Sequence, residues 1–363
     1  IYLCRTLEQV KTSSQHLGEN KLLGMLVRKY IHNFKKLNTY EAHTYIFKRA
    51  YYMDLRFRYL RNLRTLTLDV RNPSPTQKEV LRLARYIDRC AFIKTINIRG
   101  SIELINEILS LINKENLNYI IDAKGEWLES FNSIIVKQHS TIKEMKLDFY
   151  QTNNLSLSKL GLILPHLVRL SFKIHFQSIE RQEIESFSGF EELTSIKSIT
   201  LSTLMTPSGF QNEILFWEKL KLPKSLQSLK LELQQIRAAK VEENMLKCNF
   251  LQEINQKIPN LVNLKNFTLQ FGYSSVDYRN HFIKNLPDTL RVLPVSLVSL
   301  IIHFGLIGST TLEQHLDKLD AFKCFEHLRH MKNLETFYLK IDPIKQQIEP
   351  KVECKNKLKY LNL

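Results

Sequence analysis

One six-residue pattern recurs eleven times along this chain of 363 residues: apolar, two variable, apolar, one variable, apolar. Successive copies begin 24 to 38 residues apart, a regularity that random clustering of apolar residues would not keep. The clear copies are Leu63/Leu66/Leu68, Ile93/Ile96/Ile98, Ile142/Met145/Leu147, Leu167/Leu170/Phe172, Ile196/Ile199/Leu201, Leu226/Leu229/Leu231, Leu264/Phe267/Leu269, Leu297/Leu300/Ile302, Leu334/Phe337/Leu339 and Leu358/Leu361/Leu363. The poor copy begins at Leu117, where Ile120 fits but Asp122 fills the third apolar position. The repeat predicts an array of similar structural units.

Each copy predicts a short strand with one buried face. In several copies the alternation of apolar residues continues one step further, to Phe149, Ile174, Leu233, Phe271, Phe304 and Ile341. Between the strands, apolar residues at helical spacing occupy residues 80–87, 105–112, 126–138, 209–221, 241–258 and 311–331. Prolines 165, 223, 259 and 294 precede strands, where a helix must already have ended. Strands alternating with helices predict an α/β protein whose parallel strands are joined by right-handed crossovers.

Over about residues 62–363, these repeats resemble the leucine-rich-repeat family, in its long ribonuclease-inhibitor-like form. The resemblance implies a solenoid with parallel strands on the concave face and helices on the convex face. In that family, Asn or Cys usually follows the strand and satisfies backbone groups of the turn. Here those positions hold Arg71, Ser101, Tyr150, His175, Leu204, Gln234, Gly272, Gly305 and Asp342. We predict about eleven irregular repeats and, because the last copy ends on Leu363, further repeats or a cap beyond it.

The variable positions beside the strand apolar residues are expected to line the concave face. They are Thr65, Thr67, Asp69, Asn97, Arg99, Glu144, Lys146, Asp148, Arg169, Lys173, Lys230, Glu232, Asn266, Gln270, His303, Tyr338 and Lys340. Their charges are mixed, which suits a protein partner better than a phosphate backbone. The candidate partner contacts among them are Arg99, Lys146, Arg169, Lys173, Lys230, His303, Tyr338 and Lys340. The sequence therefore predicts a noncatalytic protein-binding scaffold or adaptor, acting as a subunit of a large assembly.

Positive charge is concentrated in residues 1–61, which we interpret as a basic, aromatic-rich helical cap on the solenoid. The chain has 52 Lys and Arg against 36 Asp and Glu, a net charge of +16, and residues 1–61 carry twelve of the cations and four of the acids. Aromatic residues alternate with cations between Tyr40 and Arg64. The candidate basic contacts are Lys48, Arg49, Arg56, Arg58, Arg61 and Arg64.

Two further functions remain open for this basic segment. Cations that reach phosphates and aromatic rings that stack on bases are the ingredients of single-stranded RNA binding, so the protein could be an RNA-contacting subunit of a ribonucleoprotein. Attachment to an acidic filament, such as the anionic tails on microtubules, would use the same charge. A solvated cap whose aromatic rings cover the first repeat remains the favoured interpretation.

Motifs of catalysis are missing from the sequence. It has no phosphate loop, no dinucleotide-binding glycine motif, no zinc-protease motif and no nucleophile elbow, and its ten glycines offer few phosphate cradles. Cys324, His327 and His330 have a metal-like spacing, but on the predicted helix their side chains would diverge, and no fourth ligand is evident. We therefore expect neither an enzyme nor a metal or cofactor site.

The predicted compartment is intracellular, cytoplasmic by default. The five cysteines stand far apart, as is typical of reduced thiols. The sequence also predicts no transmembrane segment.

Overall fold

The protein is described by a computed structural model over residues 9–11, 39–43, 63–70, 76–113, 117–125, 142–149, 165–176, 184, 190–191, 193–205, 210–235, 250–273, 276–306, 327–341 and 360–362. The chain forms two compact units. The first comprises Ile1–Asp148 with Ile163–Leu167, and the second comprises Phe149–Leu162 with Val168–Leu363.

The first unit is a sheet whose strand order follows the chain. Its strands are β1 Gln9–Lys11, β2 Thr39–His43, β3 Thr65–Asp69, β4 Thr95–Ser101, β5 Asn118–Gly125 and β6 Ile142–Phe149. The pairs from β1 to β5 are all parallel. Helices α1 Gln77–Arg89 and α2 Ile102–Leu111 connect β3 to β4 and β4 to β5.

The second unit repeats this arrangement. Its strands are β7 Arg169–His175, β8 Ser198–Met205, β9 Ser228–Gln235, β10 Asn266–Tyr273, β11 Ser299–Leu306, β12 Thr336–Ile341 and β13 Tyr360–Asn362. Each strand pairs in parallel with the next one in the chain. Helix α3 Phe210–Lys219 follows β8, α4 Phe250–Lys257 follows β9 and α5 Val276–Val292 follows β10. The predicted α/β class with parallel strands is confirmed.

Alternate strand residues are buried, as the repeat pattern predicted. On β9, Leu229, Leu231 and Leu233 are buried, whereas Lys230 and Glu232 between them are half-buried. On β7 the same alternation places Leu170, Phe172 and Ile174 in the core. We call the side of each strand that carries the buried residues the buried face, and the opposite side the open face.

The register predicted for the poor copy, which begins at Leu117, is wrong by one residue. Tyr119 pairs with Ile96, and Ile121 pairs with Ile98, so Tyr119 and Ile121 are the fully buried residues of β5. Ile120, which was expected in the core, is half-buried on the open face. Because side chains alternate with a period of two, a shift of one residue exchanges the two faces. Asp122 therefore requires no exception to the pattern.

Four of the expected helices are observed in whole or in part. Helices α1, α2 and α3 coincide with predicted segments, and α4 covers the described end of residues 241–258. Residues 126–138 lie outside the described residues. Within 311–331, the described part is a short 3-10 turn, His327–His330, instead of the predicted α-helix. Helix α5 was missed, because Pro287 lies inside it and proline normally interrupts a helix.

The purely helical N-terminal cap is not confirmed. Within residues 1–61 the described residues are the two short strands β1 and β2, and both pair in parallel with their neighbours. The parallel sheet therefore begins before residue 62, which was the expected start of the repeats. The rest of the segment lies outside the described residues.

A ladder of backbone hydrogen bonds joins the repeats where each strand starts. In the second unit, one carbonyl oxygen accepts from two successive amides of the next repeat, so that Val168 O accepts from Lys197 and Ser198 at 2.9 and 3.1 Å. The same bond pair continues on the carbonyls of Lys197, Gln227, Lys265 and Val298. These bonds satisfy backbone groups that would otherwise lie unpaired beside the core.

Side chains of the turns before the strands add a second ladder. The Ser225 and Ser296 hydroxyls donate to the carbonyls of Ile196 and Leu264, each at 2.8 Å. The Asn263 and Asn333 amides donate to the carbonyls of Lys224 and Val295, at 3.1 and 2.9 Å. The polar residues that make these contacts are thus Ser and Asn in the turns before the strands.

The strand register predicts opposite effects for two leucine substitutions. Leu229→Asp should lower the free energy of unfolding by about 3 to 5 kcal/mol, because it buries an unpaired charge. Leu204→Asp, on the open face of β8, is the matched control and should change it by less than about 1 kcal/mol. Urea unfolding of both variants measures the difference. Equal losses would contradict the assignment of faces.

The serine ladder predicts a smaller, specific loss. Ser296→Ala removes a part-buried hydrogen bond and leaves the Leu264 carbonyl with fewer partners, so the free energy of unfolding should fall by about 1 kcal/mol. Ser228→Ala, half-buried on the open face of β9, should leave it unchanged. Urea unfolding again provides the measurement, and an unchanged midpoint for Ser296→Ala would show that the ladder does not stabilise the fold.

Candidate functional site

The open face of β7 to β12 in the second unit displays three rows of side chains that run across the strands. The strand pairing sets each row. The first row is Arg169, Ser198, Ser228, Asn266, Ser299 and Thr336. The second row is Ser171, Thr200, Lys230, Thr268, Ile301 and Tyr338. The third row is Lys173, Ser202, Glu232, Gln270 and His303, and Lys340 pairs with His303 in the strand register. Five strand steps of about 4.8 Å make this surface about 24 Å long.

Short polar side chains occupy nearly half of the row positions. Eight positions of the three rows are Ser or Thr. The side chains described in the rows are exposed or half-buried. On the buried face of β10 and β11, the rings of Phe271 and Phe304 stack at 5.8 Å between centroids. On a surface with many small polar side chains, the few large side chains determine what binds.

A charged cluster lies at the β7 to β9 end. The Lys230 ammonium lies 2.5 Å from Glu232 Oε1, and the Ser202 hydroxyl donates to Glu232 Oε2. Partial burial alone would raise the pKa of the Glu232 carboxyl. Hydrogen bonds from Lys230 and Ser202 and the charges of Lys230 and Lys173 outweigh that effect and lower the pKa below its ordinary value. Glu232 is therefore an ionised carboxylate that pairs with the Lys230 ammonium.

Cations outnumber acids on this end of the surface. Among the described side chains of the three rows, Arg169, Lys173 and Lys230 are cationic, and Glu232 is the single acid. The cluster of Lys173, Lys230 and Glu232 thus keeps a net positive charge after its own ion pair has formed.

The second row ends in two large side chains. Ile301 on β11 pairs in register with Tyr338 on β12, and both side chains are half-buried on the open face. His303 also lies on the open face of β11, two residues beyond Ile301. We call the pair Ile301 and Tyr338 the apolar end of the second row, and the Lys230 side of that row its cationic end.

The predicted contacts of the first unit are paired with acids. Arg99 Nε lies 3.7 Å from Asp122 Oδ2 across β4 and β5, and Lys146 Nζ lies 3.6 Å from Glu144 Oε1 along β6. All four side chains lie on the open face of their strands. Such partly exposed pairs carry little net charge and contribute little to stability, so the first unit presents a more balanced surface.

No model of a known protein family matches the chain, and no curated protein matches it significantly in sequence.

The basic contacts predicted near the N-terminus lie mostly outside the described residues. Of the six, only Arg64 is described. It is exposed, its Nη1 donates to the Phe92 carbonyl at 3.3 Å, and its guanidinium lies 5.6 Å from the centre of the Phe92 ring. Arg64 thus makes a cation–π contact within the first unit. The contacts proposed for Lys48, Arg49, Arg56, Arg58 and Arg61 stay predictions.

The metal-like spacing at Cys324, His327 and His330 does not produce a described metal site. Cys324 lies outside the described residues, and the ring Nε2 of His330 lies 3.2 Å from the Leu293 carbonyl oxygen. Among the residues that the structure describes, no group of three or more His, Cys, Asp or Glu side chains could hold a metal ion. In the same part of the chain, no helix is long and apolar enough to cross a membrane.

A buried acid in the second unit escaped the sequence analysis. Glu213 on α3 is buried, and its Oε1 accepts from the Thr203 hydroxyl at 3.0 Å and from the Trp217 indole at 3.3 Å, whereas Oε2 has no partner. Burial raises the pKa of the Glu213 carboxyl to about 7, although the bonds from Trp217 and Thr203 oppose the shift. Because it is buried, Glu213 is a core residue. The sequence did not predict this burial, because a single charged residue on a helix does not indicate it.

Glu213 should make the stability of the second unit depend on pH. Its folded-state pKa is raised from 4.5 to about 7, so the folded protein holds a proton that the unfolded chain releases. Stability from this group is therefore greatest below pH 4.5 and is lost as the pH rises through 7. By the linkage relation the loss approaches about 3 kcal/mol.

The test compares Glu213→Gln with Glu218→Gln, which changes an exposed residue of the same helix. Urea unfolding at pH 5 and pH 8 should show a much smaller fall in stability between the two pH values for Glu213→Gln than for the unmodified protein. The control should keep the original difference. Identical pH dependence in all three proteins would mean that Glu213 ionises normally.

Proposed function

We propose that the protein is a noncatalytic scaffold or adaptor, a subunit of a large assembly, which binds a protein partner through the open face of its strands. The observation that carries this proposal is the mixed surface of the second unit. It combines a charged cluster, small polar residues and the Ile301–Tyr338 pair on a regular sheet. Such mixtures are typical of protein interfaces, in which aromatic anchors supply affinity and charges supply selectivity.

The fold that we propose is a leucine-rich-repeat solenoid. It is supported by the parallel strand pairs, the strand order that follows the chain, and the helices that return the chain between them. The hydrogen-bond ladders at the start of each strand provide further support, because each repeat makes the same bonds to the preceding one. In such an array, the open faces of successive strands add up to one long binding surface.

The surface gives less support to the other two functions. A face that binds RNA phosphates gains affinity from cations that displace counterions, and here an acid neutralises one of the lysines of the cluster. The ribonucleoprotein and acidic-filament alternatives depend on the basic segment of residues 1–61, of which only 9–11 and 39–43 are among the described residues. They remain predictions for that segment.

Affinity purification from native cells, with and without nuclease, tests the proposal. The protein should retain a set of protein partners that survives nuclease. Thr200→Arg with Thr268→Arg should remove that set, because two large side chains would fill the second row whatever the charge of the partner. Thr194→Arg, in the exposed turn before β8, is the matched control and should retain it.

Two results would contradict the proposal. Partners that bind the blocked variant as well as the original protein would place the interface elsewhere. Partners recovered only through nuclease-sensitive RNA would favour the ribonucleoprotein function instead.

A further inference from the structure

We propose that the second unit recognises a protein segment in which an acidic residue lies three or four positions from a large apolar residue. This inference rests on the proposed function and specifies the chemistry of the partner. The acidic residue would bind the cluster of Lys173, Lys230 and Glu232, and the apolar residue would bind at Ile301 and Tyr338.

The cationic end selects an acidic side chain. Lys230 pairs with Glu232 on β9, and Lys173 lies in the same row as Glu232, two strand steps away on β7, so both ammonium groups are on the same end of the open face. Glu232 can neutralise only one of them. A second carboxylate, brought by a partner, would complete the charge balance of the cluster and would meet donors that are already positioned.

Glu232 and Ser202 prepare this end for binding. The Ser202 hydroxyl holds one carboxylate oxygen of Glu232, and the other oxygen holds the Lys230 ammonium. The long Lys230 side chain is thereby fixed before a partner arrives, so less conformational entropy is lost on binding. Glu232 also repels an acidic group that does not reach the ammonium groups. This repulsion restricts the positions at which the partner's carboxylate can bind.

The apolar end selects a large apolar side chain. Ile301 and Tyr338 are neighbours across β11 and β12, and both side chains remain half-buried, whereas Leu300, Ile302 and Phe337 beside them are buried. An apolar partner residue would remove this surface from water at about 25 cal/mol per Å². The Tyr338 ring adds contact area with little loss of rotamer freedom.

The distance between the two ends fixes the spacing in the partner. Lys230, Ile301 and Tyr338 lie in the second row, with Lys230 two strand steps from Ile301 and three from Tyr338. Steps of about 4.8 Å place the ends about 10 to 14 Å apart. An extended chain rises about 3.3 Å per residue, so this span corresponds to three or four positions. Thr268 is the small residue between them and leaves room for the backbone of the segment.

The experiment selects binders to the full chain from a displayed library of random twelve-residue peptides. The open-face peptides are those that compete with one another and do not bind the Thr200→Arg with Thr268→Arg variant. These peptides should share an Asp or Glu three or four positions from Leu, Ile, Phe or Trp. Lys173→Glu with Lys230→Glu should weaken them at least tenfold. Ile301→Ser with Tyr338→Ser should also weaken them at least tenfold.

A charge exchange provides the decisive control. A selected peptide whose acidic residue is replaced by Lys should bind the Lys173→Glu and Lys230→Glu variant better than it binds the original protein. Lys219→Glu with Lys224→Glu, two exposed lysines away from the three rows, should bind the selected peptides normally. Circular dichroism of each variant checks that the fold is retained.

The inference is overturned if the selected open-face peptides lack an acidic residue, show no preferred spacing, or bind equally well after charge reversal. It is also overturned if no selected peptide depends on the open face. The proposed function is judged separately, by the native partners that the blocked variant loses. Loss of those partners together with acid-free peptides would keep the scaffold function and reject the acidic segment.

Discussion

The pairing of backbone groups at the start of each strand is the constraint on which the rest of the structure depends. A carbonyl such as Lys265 O accepts two amides from the following repeat, and the Ser296 hydroxyl reaches back to the preceding repeat from the same turn. These bonds fix where β4 and the strands from β8 to β12 begin. Because side chains alternate along a strand, fixing its first residue also fixes which side chains enter the core and which reach the open face.

The core can therefore be built from a simple pattern. One apolar residue lies in the turn, such as Leu226, and alternate ones follow on the strand, such as Leu229 and Leu231. Between a strand and the next turn, the number of residues varies widely, and the helices differ in length from α4 to α5. The variation is accommodated there because the helices contribute to the core with their own apolar residues and take no part in the ladders.

Periodicity was sufficient to predict most of the strands and several helices, because both depend on which positions are apolar. It failed where that information was ambiguous. Tyr119 and Ile120 are both compatible with a strand, so only pairing with β4 could determine which of them is buried. Helix α5 contains Pro287, and yet its residues Leu286 and Leu290 are buried. Strands β1 and β2 were missed because residues 1–61 lack clear copies of the pattern.

The candidate site was predictable only in part, for a related reason. Alternation places Lys173, Lys230 and His303 on the open face, but sequence alone does not show which residues of separate repeats become neighbours. The contact of Ser202 with Glu232 joins residues thirty positions apart. The partnership of Glu213 with Thr203 and Trp217 likewise depends on how α3 packs on β8, which a single charged residue in a helix cannot indicate.

The two ladders have a consequence for how such a chain can change in length. From β7 to β12, each described repeat donates to the one before it, so the contact is head-to-tail and leaves the same kind of edge after each addition. Duplication of one strand with its turn and helix would create a new junction whose donors and acceptors already match. Gain or loss of whole repeats would thus alter the reach of the binding surface, while the bonds at each remaining junction stay the same.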